Sequence, residues 1–266
     1  MILREIKCKS LLNPSQLADY CINPYVGCEH GCKYCYAEPI TRRFSFHKEH
    51  WGEFVDVKVN ALEILKNELQ KRSRGKVFIS SLTDAYQPIE KKYELTRKIL
   101  EMLLKFQFPI CIQTKSSLVA RDIDLIKKFD DREVGFTITT LDDSVRKNFE
   151  LNSSSIKEKL DVIKQLKDNG IKVYVFFGPM LPYLSDNKLD EFFQTMRKLK
   201  VDEVMIDRLN IKAGVLPKLE KILAEKYPEL VSKWKDALSD KTYYENLKKE
   251  IEGLCKKNNL EYIFCY

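Results

Sequence analysis

The 266-residue sequence has no long apolar run and no region of low complexity. No stretch approaches the roughly 18 consecutive apolar residues that cross a bilayer. The opening segment, MILREIKCKS, is too polar to be the apolar part of a signal peptide. These absences predict a cytoplasmic protein without a membrane segment. The length and the 44% hydrophobic content favour one well-packed domain.

Paired C-x2-C motifs are also absent outside one short loop. In a reducing cytoplasm the eight cysteines are not expected to form a disulfide framework, so a close group of them predicts metal binding or redox chemistry. One such group exists in GCEHGCKYCYAEP, residues 27–39, at C-x3-C-x2-C spacing. Cys111 lies in a strand pattern and is predicted to be core. The spacing gives no support to a second cluster formed by Cys8, Cys21, Cys255 and Cys265.

The charge balance is mildly basic, at +7 from 46 Lys and Arg against 39 Asp and Glu. This excess permits a nucleic-acid or phosphate-bearing substrate without requiring one. No helix-turn-helix or RNA-binding signature supports it independently. His47 and His50, in FSFHKEHWGEF, are interpreted as surface histidines, with a position at the mouth of a site as the alternative.

Short β-rich runs alternate with helical patterns along most of the chain. The runs are continuous in Val, Ile and Phe rather than alternating, which is typical of a parallel sheet buried on both faces. With a first strand at residues 22–27 they give about six βα units. The other strands are predicted at KVFISS (76–81), PICIQTK (109–115), EVGFTITT (133–140), KVYVFFGP (172–179) and DEVMIDRL (202–209).

The helix patterns complete this arrangement. A capping box from Ser155 to Glu158 predicts the start of a helix that ends at Gly170. Further helices are predicted in DNKLDEFFQTMRKL and at residues 62–70, 93–106 and 123–129. Six units are fewer than the eight of a closed barrel, so we expect an α/β fold, a partial (β/α)6 TIM-type barrel.

The predicted organisation has three parts. Residues 1–21 form an N-terminal lead-in segment, and residues 22–212 form the partial barrel. Residues 213–266 form a helical C-terminal extension that caps the barrel, with Trp234, Tyr243, Tyr244 and Leu247 as packing residues.

The cysteine loop follows the first strand, at the carboxyl end of the sheet where parallel βα folds carry their active sites. Structural zinc needs a closed set of four ligands, and only His30 lies nearby. A four-iron cluster held by three thiolates keeps one iron open to an outside ligand, which suits catalysis. The spacing therefore favours a catalytic iron–sulfur cluster. The alternative is a non-enzymatic zinc knuckle that binds nucleic acid.

The segment from Cys28 to Cys35, with Tyr34 before the last cysteine, resembles the signature of the radical S-adenosylmethionine (radical SAM) superfamily. Four segments are similar to motifs of its spore photoproduct lyase-like, or DNA-repair-photolyase-like, branch: NPYVGCEHGCKYCYA, SLTDAYQPIE, TKSSLVARDIDLI and FTITTLDDSVRKNFE. The resemblance covers roughly residues 9–210.

That resemblance implies a [4Fe-4S] cluster bound by Cys28, Cys32 and Cys35, and S-adenosylmethionine on the open iron. Reductive cleavage would release a 5′-deoxyadenosyl radical that abstracts hydrogen from a substrate, which the branch suggests is a nucleic acid or nucleoside. An electron donor such as ferredoxin or flavodoxin is implied as a partner.

The resemblance further implies that the cofactor is bound at the strand ends. Thr83 and Asp84 would hold its methionyl group, and Lys115 would pair with its carboxylate. The remaining contacts would come from Tyr34, from Thr137 and Thr139 toward carboxylate or ribose, and from the Gly178 backbone beside the adenine. The alternatives are a turn role for Asp84 and ordinary strand positions for the threonines.

One position departs from the branch. The lyase has a hydrogen-donating cysteine where this sequence has Ser81, and a serine hydroxyl is a poor hydrogen-atom donor. The departure disfavours repair of thymine dimers. Tyr86, Tyr93 and Tyr183 are candidates for a radical relay, although tyrosines at such positions usually pack.

Overall fold

The computed structural model describes residues 1–211 and 214–266. The strands are Ile2–Ile6 (β1), Asn13–Pro14 (β2), Tyr20–Ile22 (β3), Tyr25–Val26 (β4), Phe54–Lys58 (β5), Val77–Ile79 (β6), Ile110–Thr114 (β7), Arg132–Thr137 (β8), Lys172–Met180 (β9), Glu203–Arg208 (β10) and Tyr262–Phe264 (β11).

The helices alternate with these strands. They are Ala37–Thr41 (α1), Ala61–Leu69 (α2), Glu90–Tyr93 (α3), Leu95–Lys105 (α4), Ile123–Ile126 (α5), Asp143–Phe149 (α6), Ile156–Asp168 (α7), Leu189–Lys198 (α8), Leu216–Lys226 (α9), Val231–Ser239 (α10) and Lys241–Asn258 (α11). Two 3₁₀ turns, Ser117–Asp122 and Pro228–Leu230, precede α5 and α10.

The main sheet has the strand order β11-β10-β9-β8-β7-β6-β3-β2. The neighbours from β3 to β10 are all parallel, and only β2 runs antiparallel at one edge. Six parallel strands joined through helices form an open, partial barrel, so the predicted fold class is confirmed. A second, small sheet has the order β1-β5-β4.

The first predicted strand, residues 22–27, is instead divided between the two sheets. β3 ends at Ile22 in the main sheet, and β4 begins at Tyr25 in the small one. Pro24 has no N–H group to donate to a ladder. The side-chain oxygen of Asn23 accepts hydrogen bonds from the backbone N–H groups of Ser81 (3.0 Å) and Leu82 (2.9 Å), which fixes the chain at this break.

The C-terminal segment contains the predicted helices and one strand that the sequence analysis did not predict. β11 adds to the edge of the main sheet, parallel to β10. Trp234 is 1% exposed, and its indole N–H donates to the carbonyl of Pro182 (2.6 Å). Tyr244 donates to the carbonyl of Met180 (3.1 Å), so the segment packs on the loop after β9. The predicted boundary between residues 212 and 213 lies outside the described residues.

The predicted capping box is present at the start of α7. The Ser155 hydroxyl accepts from the N–H of Glu158 (3.3 Å), and the Glu158 carboxylate accepts from the N–H of Ser155 (2.8 Å). The apolar face of α7 then packs on the sheet through Ile156, Ile163 and Leu166. Among the described helices, none is long and apolar enough to cross a membrane.

Candidate active site

The cysteine loop, residues 27–36, lies at the carboxyl end of β3, between β4 and α1. Two glycines with positive φ, Gly27 (+85°) and Gly31 (+58°), shape its first turn. A Cβ on Gly27 would come 2.5 Å from the carbonyl oxygen of Phe54, and one on Gly52 would come 2.9 Å from the Cα of Gly31. The loop and the segment before β5 are therefore in backbone contact that only glycine allows.

Hydrogen bonds from several parts of the chain hold this loop. The carbonyl of Gly27 accepts from the hydroxyl of Thr83 (2.6 Å) and the side-chain amide of Gln87 (3.3 Å). The Glu29 N–H donates to Gln87 (2.8 Å), and its carbonyl accepts from the amide of Asn152 (2.6 Å). Thr83, a predicted cofactor residue, thus positions the loop; its cofactor contact stays a prediction.

The three cysteines of the loop are free thiols, with Cys28 and Cys32 buried and Cys35 half-buried. Burial raises the pKa of all three thiols, to about 12 for Cys32, and the Lys115 ammonium opposes this rise for Cys32 and Cys35. Metal binding would therefore release protons from them.

The donor set does not fit a mononuclear zinc site. Within residues 1–211 and 214–266, no group of three His, Cys, Asp or Glu side chains is arranged to hold one metal ion. The neighbours of the His30 ring nitrogens are not the cysteines, since Nδ1 lies 2.9 Å from the Asn152 carbonyl and Nε2 lies 3.2 Å from Asp84 Oδ2. Three thiols that do not converge on one point fit a four-iron cluster, whose irons take separate thiolates.

Asp84 joins the cysteine loop to the ends of β6 and β7. Its Oδ1 accepts from the N–H of Tyr86 (2.8 Å) and the hydroxyl of Thr114 (2.7 Å), and its Oδ2 accepts from the N–H of Lys115 (2.8 Å). Burial opposes ionisation of this carboxyl, but His30 and these donors hold its pKa at about 2. Asp84 is thus a buried anion whose oxygens bind the chain itself, and its predicted contact with the cofactor stays a prediction.

Lys115, at the end of β7, lies near the thiols of the cysteine loop. Its Nζ lies 5.9 Å from the ring centre of Tyr34, and it makes no ion pair with any described residue. Burial would lower its pKa, but the surrounding Cys32, Glu150 and Asp84 raise it. The ammonium is therefore charged and suited to an anionic group.

A buried ion pair that the sequence analysis missed lies next to Tyr34. Glu150 and Lys159 are both fully buried and lie 3.0 Å apart. Glu150 accepts hydrogen bonds from the hydroxyls of Tyr34, Thr139 (3.2 Å) and Ser153 (2.8 Å). Burial opposes its ionisation, but Lys159 and Lys115 hold its pKa at about 2. Two features of the sequence could have indicated this ion pair. Glu150 ends the motif FTITTLDDSVRKNFE, and Lys159 lies on the apolar face of α7.

The remaining predicted cofactor residues lie at the same end of the sheet. Thr137 is buried and accepts from the Gln113 amide (3.3 Å), while Thr139 donates to Glu150. A Cβ on Gly178 would come 2.6 Å from Cε1 of Phe176, so any other residue there would displace the Phe176 ring. Their contacts with S-adenosylmethionine stay predictions.

Ser81 has a thiol partner that the sequence did not indicate. The Cys21 thiol of β3 donates to the Ser81 hydroxyl (3.1 Å), and the Asn23 amide lies 3.4 Å from the same sulfur. The phenol of Tyr36 donates to the Ser81 carbonyl.

The interpretation of His47 as a surface residue is wrong. It is buried, it stacks on Phe54 at 4.1 Å, and its ring nitrogens lie 2.8 Å from Asp56 and 3.1 Å from Glu49. His50, by contrast, is exposed.

The sequence profile of the Radical SAM superfamily matches residues 22–196. An uncharacterized protein of Methanocaldococcus jannaschii is 37% identical over 258 residues, which cover 96% of this chain and 94% of that protein. A protein of Pseudomonas phage M6 named radical SAM Nalpha-GlyT isomerase is 24% identical over 257 residues, 91% of this chain and 52% of the phage protein.

Among solved structures, a spore photoproduct lyase variant with dinucleoside spore photoproduct superposes with a TM-score of 0.74. The match covers 99% of this chain and 81% of the lyase. At 15% sequence identity, this likeness concerns the fold alone.

Proposed function

Because the chain belongs to the radical SAM superfamily, we propose that it binds a [4Fe-4S] cluster through Cys28, Cys32 and Cys35 and S-adenosylmethionine beside it. One observation carries this proposal: three free, largely buried thiols lie at the strand ends, facing the ammonium of Lys115, in an arrangement that suits no single ion. The bound cluster and cofactor together would supply a 5′-deoxyadenosyl radical for abstraction of hydrogen from the substrate.

The residues around the loop have distinct parts in this proposal. Lys115 would pair with the carboxylate of the cofactor, since it is a charged donor without an ion-pair partner among the described residues. Thr83 and Asp84 would lie beside the methionyl group while fixing the loop. The other contacts would come from Tyr34, Thr137, Thr139 and Gly178.

We also propose a nucleic acid or nucleoside as the substrate. The net charge of +7 is compatible with an anionic partner. The lyase that shares the fold was solved with a dinucleoside photoproduct. The enzyme would work in the cytoplasm with an electron donor such as ferredoxin or flavodoxin. Ser81 and its Cys21 partner distinguish this site from that of the lyase, so we expect a reaction other than dimer repair.

Anaerobic reconstitution with iron and sulfide tests the cluster and the cofactor together. The wild-type protein should take up about four irons per chain and form 5′-deoxyadenosine from S-adenosylmethionine and dithionite. Cys32→Ala should lose both properties. Cys111→Ala, which removes a buried strand thiol far along the chain from the loop, should keep both. A folded wild-type protein that binds zinc, takes up no iron and forms no 5′-deoxyadenosine would contradict the proposal.

A further inference from the structure

The segment after α1, residues 42–50, exposes two large aromatic side chains. We call it the aromatic loop. Phe46 is 95% exposed and Phe44 is 75% exposed, the two highest values for large apolar side chains in the part of the chain that the structure describes. Exposing such rings to water has no benefit for folding, so they point to an interaction surface.

The base of the aromatic loop is held firmly, although its rings project. The guanidinium of Arg42 pairs with Glu38 (3.0 Å) and donates to the carbonyl of Glu49 (2.9 Å). His47 is fixed by Asp56 and stacks on Phe54. These contacts hold the two phenylalanines at a defined place on the surface.

The chain that follows the aromatic loop packs against the cysteine loop. Trp51 and Phe54, which follow the aromatic loop in the chain, form one apolar cluster with Cys28 and Ala37. Gly52 lies against Gly31 of the cysteine loop. A molecule bound by the aromatic loop would therefore lie next to the candidate active site.

The outer surface of the aromatic loop is cationic. Arg43 and Lys48 are exposed and make no ion pair with any residue that the structure describes. The one acidic residue of the loop, Glu49, is paired with His47. Exposed rings interleaved with free cations are the combination that binds single-stranded nucleic acid, because the rings stack on bases while the cations pair with phosphates.

We propose that the aromatic loop binds a single-stranded segment of a nucleic-acid substrate, with Phe44 and Phe46 stacked on bases and Arg43 and Lys48 paired with phosphates. The inference rests on the proposed function in taking a nucleic acid, rather than a free nucleoside, as the substrate. An electron-donor protein is the other candidate occupant. Binding of such a donor by the same rings is one of the outcomes that the test below distinguishes.

The test measures fluorescence anisotropy of a short, labelled single-stranded DNA of mixed sequence, and of the matching RNA, with reconstituted protein. We expect Phe44→Ala/Phe46→Ala to raise the Kd at least about tenfold. Arg43→Gln/Lys48→Gln should also weaken binding and reduce the salt slope by about two. Phe106→Ala is the matched control, because Phe106 is 43% exposed and lies between α4 and the start of β7, whereas the site lies where the strands end.

Formation of 5′-deoxyadenosine without substrate and binding of flavodoxin are measured on the same variants. Unchanged oligonucleotide affinity in the phenylalanine variant would overturn the inference. Wild-type protein that makes 5′-deoxyadenosine but binds neither oligonucleotide, or a variant that loses only flavodoxin binding, would overturn it too. Phenylalanine-dependent oligonucleotide binding by a protein that makes no 5′-deoxyadenosine would support the inference while the proposed function fails.

Discussion

The fully buried pair of Glu150 and Lys159 is the strongest electrostatic feature at the scale of single residues. It lies behind Tyr34, so its charges fix the phenol that adjoins the last cysteine of the loop. Removing one partner of a buried ion pair leaves the other charge without compensation in a medium of low polarity. The pair is thus expected to matter for stability as well as for the shape of the site.

We expect Glu150→Gln to lower the free energy of unfolding by about 3–5 kcal/mol at neutral pH. The folded-state pKa of Glu150 is about 2, below its ordinary value of 4.5. Its ionised form therefore stabilises the fold above about pH 4.5 by about 3 kcal/mol, and this contribution disappears as the pH falls toward 2. In urea unfolding over this pH range, the free energies of unfolding of the variant and the wild type should become equal as the pH falls.

Glu101→Gln is the control for this prediction, because Glu101 is 49% exposed and lies 3.7 Å from Arg97. It should change stability by less than about 1 kcal/mol. Equal stability of Glu150→Gln and wild type at neutral pH would show that the pair contributes nothing net.

At the scale of single residues, the sequence predicted the grouping of the cysteines but not the buried ion pair. The spacing of Cys28, Cys32 and Cys35 predicted their grouping, because a short loop keeps such residues close. Lys159 was not predicted, because a charged residue on a helix is normally exposed. Lys159 is buried because it pairs with Glu150, which follows a different helix. A periodic pattern within one helix cannot show a contact with another part of the chain.

At the scale of elements, the turns at Gly27 and Gly170 can be compared by the effect of adding a Cβ to each glycine. Both residues have positive φ, +85° and +69°. A Cβ on Gly170 meets nothing within 4 Å, whereas one on Gly27 meets the Phe54 carbonyl at 2.5 Å. Gly170→Ala therefore carries backbone strain alone, of about 1 kcal/mol, while Gly27→Ala must also displace the cysteine loop.

We expect Gly27→Ala to bind less than half of the wild-type iron after reconstitution, while Gly170→Ala binds the normal amount. Iron per chain and urea unfolding are measured together, so that lost loop geometry is separated from lost stability. Full iron binding by Gly27→Ala would mean that the loop tolerates displacement.

The prediction of strands from the sequence was correct where the run of apolar residues was continuous. The apolar runs of β7 to β9 predicted the positions of these strands within a few residues, because strands that are largely buried need such runs. β11 was missed because it has three residues and pairs with a strand more than 50 positions earlier in the chain. The division between β3 and β4 depends on Asn23, whose partners lie at the end of β6.

At the scale of the whole molecule, the C-terminal segment is packed into the barrel. Trp234 is buried against the loop after β9, and β11 continues the main sheet. Groups that share a core in this way unfold together. We therefore expect one calorimetric transition for the chain as described.

Trp234→Ala should keep that single transition and lower its midpoint by roughly 10 °C, because removing a buried tryptophan costs about 3–5 kcal/mol. Leu17→Ala, at a side chain that is 60% exposed, should leave the midpoint nearly unchanged. If calorimetry shows two transitions and the substitution lowers the midpoint of only one, the predicted segment 213–266 unfolds as an independent unit.

The hydrogen bonds around the cysteine loop have a consequence for the order of assembly. Thr83, Gln87 and Asn152 hold the loop through groups of the protein alone. These contacts order the loop, so they carry part of the conformational entropy cost that ordering it for a cluster would require. For the cluster binding proposed above, we therefore expect folding of the polypeptide and delivery of iron to be separable in time, with the folded chain as the acceptor.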